Sequence, residues 1–328
     1  MSRNSLSKAF EELRTMVASE HQAYAAVPIP NLPLHRLGIT SEGQPIFFVR
    51  CSPQKSRAKQ AGYRLERLII QFSKKCLIKN NQQEEAEETF TTIELRPGAD
   101  ELIAYFLDVF YLLIKGLPKN TVVGDLNEKL HEVLSLFNHL SAPPKRTVQG
   151  LWAELLVIER AKDPARLVKA WHRESTDKYD FNDGVSKIEV KSAASSRRVH
   201  HFSAEQLLPN PSSQTLIISI FAIETAAGSS IDDLVEAINK RLQDEALLLD
   251  LKMKIGKTLG NALESARDHY FDYAQAADSI RLFDTNDIPK IAVENIPPQI
   301  QRVSYDSDLT DVSPVSVSDH ASALLKAI

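Results

Sequence analysis

The sequence predicts an α/β protein built in two parts, and three observations carry that reading. Short β-branched or alternating apolar runs gather between residues 34 and 95 and again between 179 and 223. Stretches with apolar residues at helical spacing flank both groups. The pair Pro143-Pro144 follows a helical stretch, and proline disfavours helix in the residue before it, so the pair marks a boundary. We therefore expect a mixed α/β domain over 1–142, a second α/β domain with a helical extension over 143–283, and a C-terminal strand with a loosely ordered tail over 284–328.

The elements follow in order. Leu6, Phe10, Leu13 and Val17 predict a helix within Ser5 to Tyr24, and the prolines of Val27 to Pro33 predict a connector. Strands are expected at Leu34–Ile39, Ile46–Cys51, Leu65–Phe72, Cys76–Ile78 and Phe90–Leu95, with turns at Ser41-Glu42-Gly43 and Lys79-Asn80-Asn81. The run Glu84–Glu88 reads as a solvated loop. Helices are expected over Ala99–Lys115 and Leu126–Leu140. Beyond the double proline, Val148, Leu151, Trp152, Leu155 and Ile158 predict a helix over Thr147–Ala161. Strands near Tyr179–Phe181 and Val185–Lys191 are joined by Asn182-Asp183-Gly184, residues suited to positive φ. A helix over Ser203–Leu208 precedes the β-branched run Thr215–Ile223, which reads as a strand buried on both faces. Long helices over Ile231–Leu249 and Leu259–Ala276 come next, then a strand at Lys290–Val293. Residues Asp306–Ser318 read as loosely ordered.

Composition excludes several function classes. The net charge of −4 excludes nucleic-acid binding through bulk positive charge, though not through a local patch. Two cysteines, Cys51 and Cys76, supply neither a disulfide framework nor a four-cysteine zinc site. The longest apolar stretch, Leu102–Leu113, is interrupted by Asp108 and too short to span a bilayer. A soluble, reduced, cytoplasmic protein without membrane contact is expected.

The informative stretch is Asp180–Lys191. On a strand over Val185–Lys191, side chains alternate between faces, so Ile188 and Val190 point to a core while Glu189 and Lys191 point the other way together. The turn folds Asp180 back toward the same end. Two carboxylates offer hard oxygen ligands to Mg²⁺. Such an ion activates water and neutralises phosphate charge, and a neighbouring lysine orients that water and stabilises developing negative charge. The bare spacing is common, and an ordinary surface hairpin would show it too. The turn, the upstream helix and the downstream buried strand give it weight.

Asp180, then Glu189-Val190-Lys191, with Glu154 on the preceding helix, resembles the PD-(D/E)XK nuclease superfamily over about Val148–Ile223. The wider chain resembles a bacterial branch of PD-(D/E)XK motif proteins associated with anti-phage defence clusters. The resemblance implies a restriction-endonuclease-like core, a central mixed sheet flanked by helices, here placed between the N-terminal mixed α/β domain and C-terminal helices. It implies an Mg²⁺-dependent deoxyribonuclease, with Mn²⁺ as a substitute. Asp180 and Glu189 would be metal ligands, Glu154 a further ligand or helper, and Lys191 the residue that positions water. Ser192 and Gln206 stand where related enzymes place site residues. Tyr179 replaces the proline of the motif's name.

Arg197, Arg198 and His201 follow closely and suit a phosphate backbone. Residues 145–205 hold 12 Lys and Arg against 9 Asp and Glu, so the local charge is opposite in sign to that of the chain. Ile255-Gly256-Lys257-Thr258 lacks the first glycine of a phosphate loop and gives no reason to expect ATP. Trp152 and Trp171 read as core. The expected partners are DNA, other subunits of a defence system, and a second copy of the chain, because a double-strand cut needs two sites. The alternative is a catalytically silent DNA-binding or assembly subunit.

Overall fold

The computed structural model describes residues 3–16, 23–52, 61–79, 85–144, 146–172, 177–208, 213–317 and 322–328. The chain forms two compact units, Met1–Ala142 and Pro143–Ile328.

The first unit contains α1 (Arg3–Met16), β1 (Tyr24–Ile29), β2 (Leu32–Ile39), β3 (Pro45–Val49), β4 (Tyr63–Arg64), β5 (Leu68–Lys79), β6 (Glu85–Leu95), α2 (Ile103–Lys115) and α3 (Val123–His139). Its sheet runs β1-β2-β3-β6-β5-β4, and a short parallel pairing of Tyr24 and Ala25 with Ile78 and Lys79 joins β1 to β5. That pairing closes five strands into a ring. Strand β3 is buried along its whole length because both of its faces are covered. Phe48 faces a core of Ala26, Ile46, Cys76, Ile78 and Phe90. Phe47 points the other way, with its ring centroid 5.5 Å from that of Phe106 and 6.2 Å from that of Phe110, both on α2.

Several expectations for this unit are corrected. The helix α1 ends at Met16, and Tyr24 begins a strand; residues 17–22 lie outside the described ones. The proline connector is instead the β1–β2 hairpin. Its register slips at Pro28/Ile29, and Asn31 turns the chain at φ 64°. A bulge accommodates a residue that cannot serve the ladder. Leu65–Phe72 and Cys76–Ile78 belong largely to one strand, β5, with a register shift between Gln71 and Lys74. Glu85–Glu88 is the start of β6 rather than a loop, and Glu88 Oε1 accepts a hydrogen bond from Arg36 Nη2 at 2.9 Å. Residue Glu84 lies outside the described residues.

The second unit contains α4 (Val148–Arg160), α5 (Pro164–Ala170), β7 (Phe181–Asn182), β8 (Ser186–Ala193), β9 (Val199–Ser203), β10 (Gln214–Phe221), β11 (Glu224–Ser229), α6 (Ile231–Arg241), α7 (Glu245–Leu259), α8 (Tyr273–Ser279), β12 (Arg281–Asp284), β13 (Ser304–Asp308) and α9 (Ala323–Lys326). The central sheet runs β12-β10-β8-β7 and is mixed: β8 and β10 are parallel, while both edge strands are antiparallel to their neighbours. Helix α4 packs against β8 and α6. The Thr147 side chain caps α4 by accepting from the Gly150 N–H at 3.1 Å. Gly184 closes the β7–β8 turn at φ +89°, where a Cβ would be strained. Strand β10 is buried from Thr215 to Ile220, as its composition predicts.

The C-terminal half differs from expectation. The segment 231–249 is two helices, because Leu242 is extended and Asp244 starts α7 afresh by accepting from the Ala246 N–H at 2.9 Å. Leu259–Ala276 is not one helix: Gly260 ends α7 at φ +52°, and two short 3₁₀ turns precede α8. Ser203–Leu208 holds the end of β9 and a 3₁₀ turn, Ala204–Gln206. Lys290–Ala292 is irregular rather than a strand. Asp306–Asp308 belongs to β13, which pairs with β9 from Ser304↔Ser203 to Asp308↔Val199. Phe202, Leu207, Ile217, Phe283, Ile288 and Leu309 form the core beneath that ribbon. At the end of the chain, Ala327 O accepts from the Asp163 N–H at 3.1 Å. Among the described residues, no helix is long and apolar enough to cross a membrane.

Candidate active site

Three carboxylates of the second unit are almost wholly buried: Glu154 is 1% exposed, Asp180 0% and Glu189 3%. Burial of that kind needs partners. Glu154 lies on α4, a helix buried on nearly every side. Its Oε2 accepts from Trp171 Nε1 at 2.7 Å and lies 2.8 Å from His172 Nε2. Its Oε1 accepts from Arg146 Nη1 at 2.9 Å.

Trp171 and His172 reach Glu154 because the chain turns sharply after α5. His172 sits in the left-handed region at φ 41°, uncommon for a residue with a side chain. Its N–H donates to Asp180 O at 2.9 Å, and Trp171 bridges Phe181. The same short ladder that aims the two rings at Glu154 therefore also positions Asp180.

Asp180 precedes β7. Its Oδ2 accepts from the Val190 N–H of β8 at 2.7 Å. Its Oδ1 is ion-paired with Arg146, 2.6 Å from Nη1. Burial, then the charges of Glu154 and Glu189, push the Asp180 carboxyl well above the usual carboxylate range against the pull of Arg146 and the Val190 N–H.

Glu189 and Lys191 share one face of β8. Lys191 Nζ is 2.8 Å from Glu189 Oε1, which also accepts from Gln206 Nε2 at 2.8 Å. Glu189 Oε2 is buried and has no partner. Lys191 Nζ stands over the Phe202 ring, 5.2 Å from its centroid.

The other sequence candidates lie elsewhere. Strand alternation turns Ser192 to the face opposite Glu189 and Lys191. Arg197 is exposed and paired with Asp308 of β13. Arg198 is buried and donates to Ser219 O and Oγ at 2.9 and 2.8 Å and to Ser279 O at 2.6 Å, so it ties β9 to β10 and α8 rather than joining the acids. His201 bonds Asp306 Oδ1 at 2.9 Å on the surface of the β9–β13 ribbon. His200, its neighbour, is buried. Ser219 Oγ, which accepts from Arg198, is 2.7 Å from His200 Nε2, and its hydroxyl hydrogen is free to go there. Burial, with the charges of Lys191 and Arg198, pushes His200 down to about 4.

Arg146 and His172 were not singled out in the sequence. Glu154, His172 and Asp180 each offer a ligand atom, all within 4.8 Å of one another, and Glu189 is not part of that compact group. The buried carboxylates, with Glu189 Oε2 unpartnered, fit a small divalent cation such as Mg²⁺ or Mn²⁺, and the imidazole of His172 beside Glu154 suits Mn²⁺. The only sequence signal for Arg146 is its place immediately before the Thr147 cap of α4.

Comparison with known proteins places the chain in a family. Residues 6–310 match the family described as "Putative PD-(D/E)XK family member, (DUF4420)". No curated protein and no solved structure matches the chain. The mixed sheet with flanking helices is that of a restriction-endonuclease-like fold. Since the match runs over most of the chain and through both units, the chain belongs to that PD-(D/E)XK family.

Proposed function

We propose that the protein is an Mg²⁺-dependent nuclease that hydrolyses phosphodiester bonds of DNA in restriction or anti-phage defence, with Mn²⁺ as a substitute ion. The observation that supports this most is the group of three buried carboxylates, Glu154, Asp180 and Glu189, with Glu189 Oε2 unpartnered and the ammonium of Lys191 2.8 Å from Glu189 Oε1. Asp180 and Glu189 would hold the ion. When bound, it supplies an activated water and neutralises charge on the scissile phosphate. The Val190 N–H holds Asp180 Oδ2 and so fixes the direction of the carboxylate. Gln206 holds Glu189 Oε1 and so fixes the direction of Oε2. Lys191 orients the attacking water by hydrogen bonding and stabilises the negative charge that develops on the phosphoryl oxygens. Trp171 and His172 fix Glu154, whose charge adds to the field of the site. A homodimer would bring two such sites to the two strands of a duplex.

A second reading, a catalytically silent DNA-binding or assembly subunit, draws support from Arg146, a cation already seated between two of the acids. One experiment separates the two. Plasmid DNA, linear DNA and RNA are incubated with the protein and Mg²⁺ or Mn²⁺, beside Lys191→Ala and Glu189→Ala variants. The nuclease reading expects cleavage of DNA, with losses of about 100-fold or more in each variant, since one stabilising group of this kind is worth that much. No metal-dependent cleavage by any form, or cleavage unchanged in Lys191→Ala, refutes it.

A further inference from the structure

We propose that Arg146 is a built-in second cation of the acidic site. Its guanidinium stands between Glu154 and Asp180, in the place a second divalent ion would take, and leaves the acids able to hold one ion. The inference rests on the metal-dependent reading of the site.

Four observations carry it. One nitrogen, Nη1, lies 2.9 Å from Glu154 Oε1 and 2.6 Å from Asp180 Oδ1, so a single positive centre is shared by two buried carboxylates from different elements. The remaining acid, Glu189, has its own cation in Lys191 at 2.8 Å. With all three acids ionised, Arg146 and Lys191 leave one negative charge buried, which one divalent ion turns positive toward an incoming phosphate. A second ion would bury a large excess of positive charge, at high cost. Arg146 directly precedes the Thr147 cap, whose side chain accepts from the Gly150 N–H and so fixes the start of α4 beside it. Finally, the other guanidinium nitrogens have no hydrogen-bond partner among the described residues, and the side chain is 34% exposed. Arginine presents its donors in a planar fork that matches phosphate oxygens. Its inner edge neutralises the acids while its outer edge is open to an anion.

Removing the guanidinium would leave Glu154, His172 and Asp180 with ligand atoms within 4.8 Å of one another and no cation among them. The variant should then bind an ion that the natural protein does not. The test is the number of Mn²⁺ ions bound per chain, measured by calorimetry and by electron paramagnetic resonance, for wild type, Arg146→Met and Arg146→Lys. One ion is expected for wild type and for Arg146→Lys. Two are expected for Arg146→Met, with a spin-coupled spectrum absent from wild type. If Arg146→Met does not fold, Arg146→Gln removes the charge while keeping a donor toward Glu154, and it carries the same test. Two ions in wild type, or equal numbers in wild type and the charge-removing variant, overturn the proposal. A wild type that binds no Mn²⁺ while the variant gains an ion sustains the role of Arg146 and refutes the metal-dependent reading.

Discussion

Divalent ions should stabilise the second unit by an amount that the structure bounds. Glu189 Oε2 is buried without a hydrogen-bond partner. An orphaned polar atom of this kind costs about 1–3 kcal/mol, which a bound cation can relieve. Mass action at a 100-fold excess over the dissociation constant gives about 2.7 kcal/mol, inside that range. For a unit of this size each kcal/mol moves the midpoint by about 2–4 °C, so a rise of about 5–11 °C is expected. Both tryptophans, Trp152 and Trp171, are buried in this unit, so thermal unfolding followed by tryptophan fluorescence reads it selectively. The control is Asp180→Asn. It keeps a carbonyl that can accept from the Val190 N–H but removes the charge that draws the ion. The shift should vanish in this variant. An equal shift in Asp180→Asn, or none in the wild type at millimolar Mn²⁺, refutes the assignment of Asp180 as the ion's holder.

Two further outcomes follow from the surroundings of the site. His200 titrates at 6.5 in the unfolded chain and at about 4 in the fold, so the unfolded state takes up the proton first and stability falls as pH drops from 6.5 to 4. At 1.36 kcal/mol per unit the loss across that window is about 3 kcal/mol; urea unfolding should show it in wild type and a flatter profile in His200→Gln, and parallel profiles would refute it. Trp171→Phe keeps the ring but removes the donor to Glu154 Oε2, and should destabilise by about 1–3 kcal/mol in urea unfolding followed by circular dichroism; an unchanged midpoint would show that the bond contributes nothing.

The parts of the site that were legible in the sequence are those set by local geometry. Alternation along β8 puts Glu189 and Lys191 on one face, and Asn182-Asp183-Gly184 forecasts the turn beside them. Arg146 and His172 were not legible for a different reason. Each gains its meaning from a residue brought near by tertiary packing: Arg146 from Asp180, and His172 from a left-handed backbone that no periodicity announces. Gln206 was expected on a helix and reaches Glu189 from a 3₁₀ turn. The long helices expected after Ile231 were misjudged although the stops were present: Asp244 is a helix cap and Gly260 a terminator, and continuous apolar spacing across them outweighed both. The β1–β2 hairpin was hidden because its prolines sit at a slip in register, where a strand tolerates them. The β9–β13 pairing joins residues 105 apart, a separation at which one sequence carries no pairing signal.

That pairing also sets the order in which the second unit is assembled during translation. The strand that follows Lys191 leaves the ribosome long before its partner exists. At about 5–20 residues per second, the 105 residues between His201 and Asp306 take roughly 5–20 s. During that interval β9 has no strand partner, and the core of Phe202, Leu207 and Ile217 lacks Leu309. Closure is later still for Asp163, whose N–H waits for Ala327 O. A message truncated before Ser304 would release a chain with its acids made but an unpaired strand beside them, a product open to aggregation.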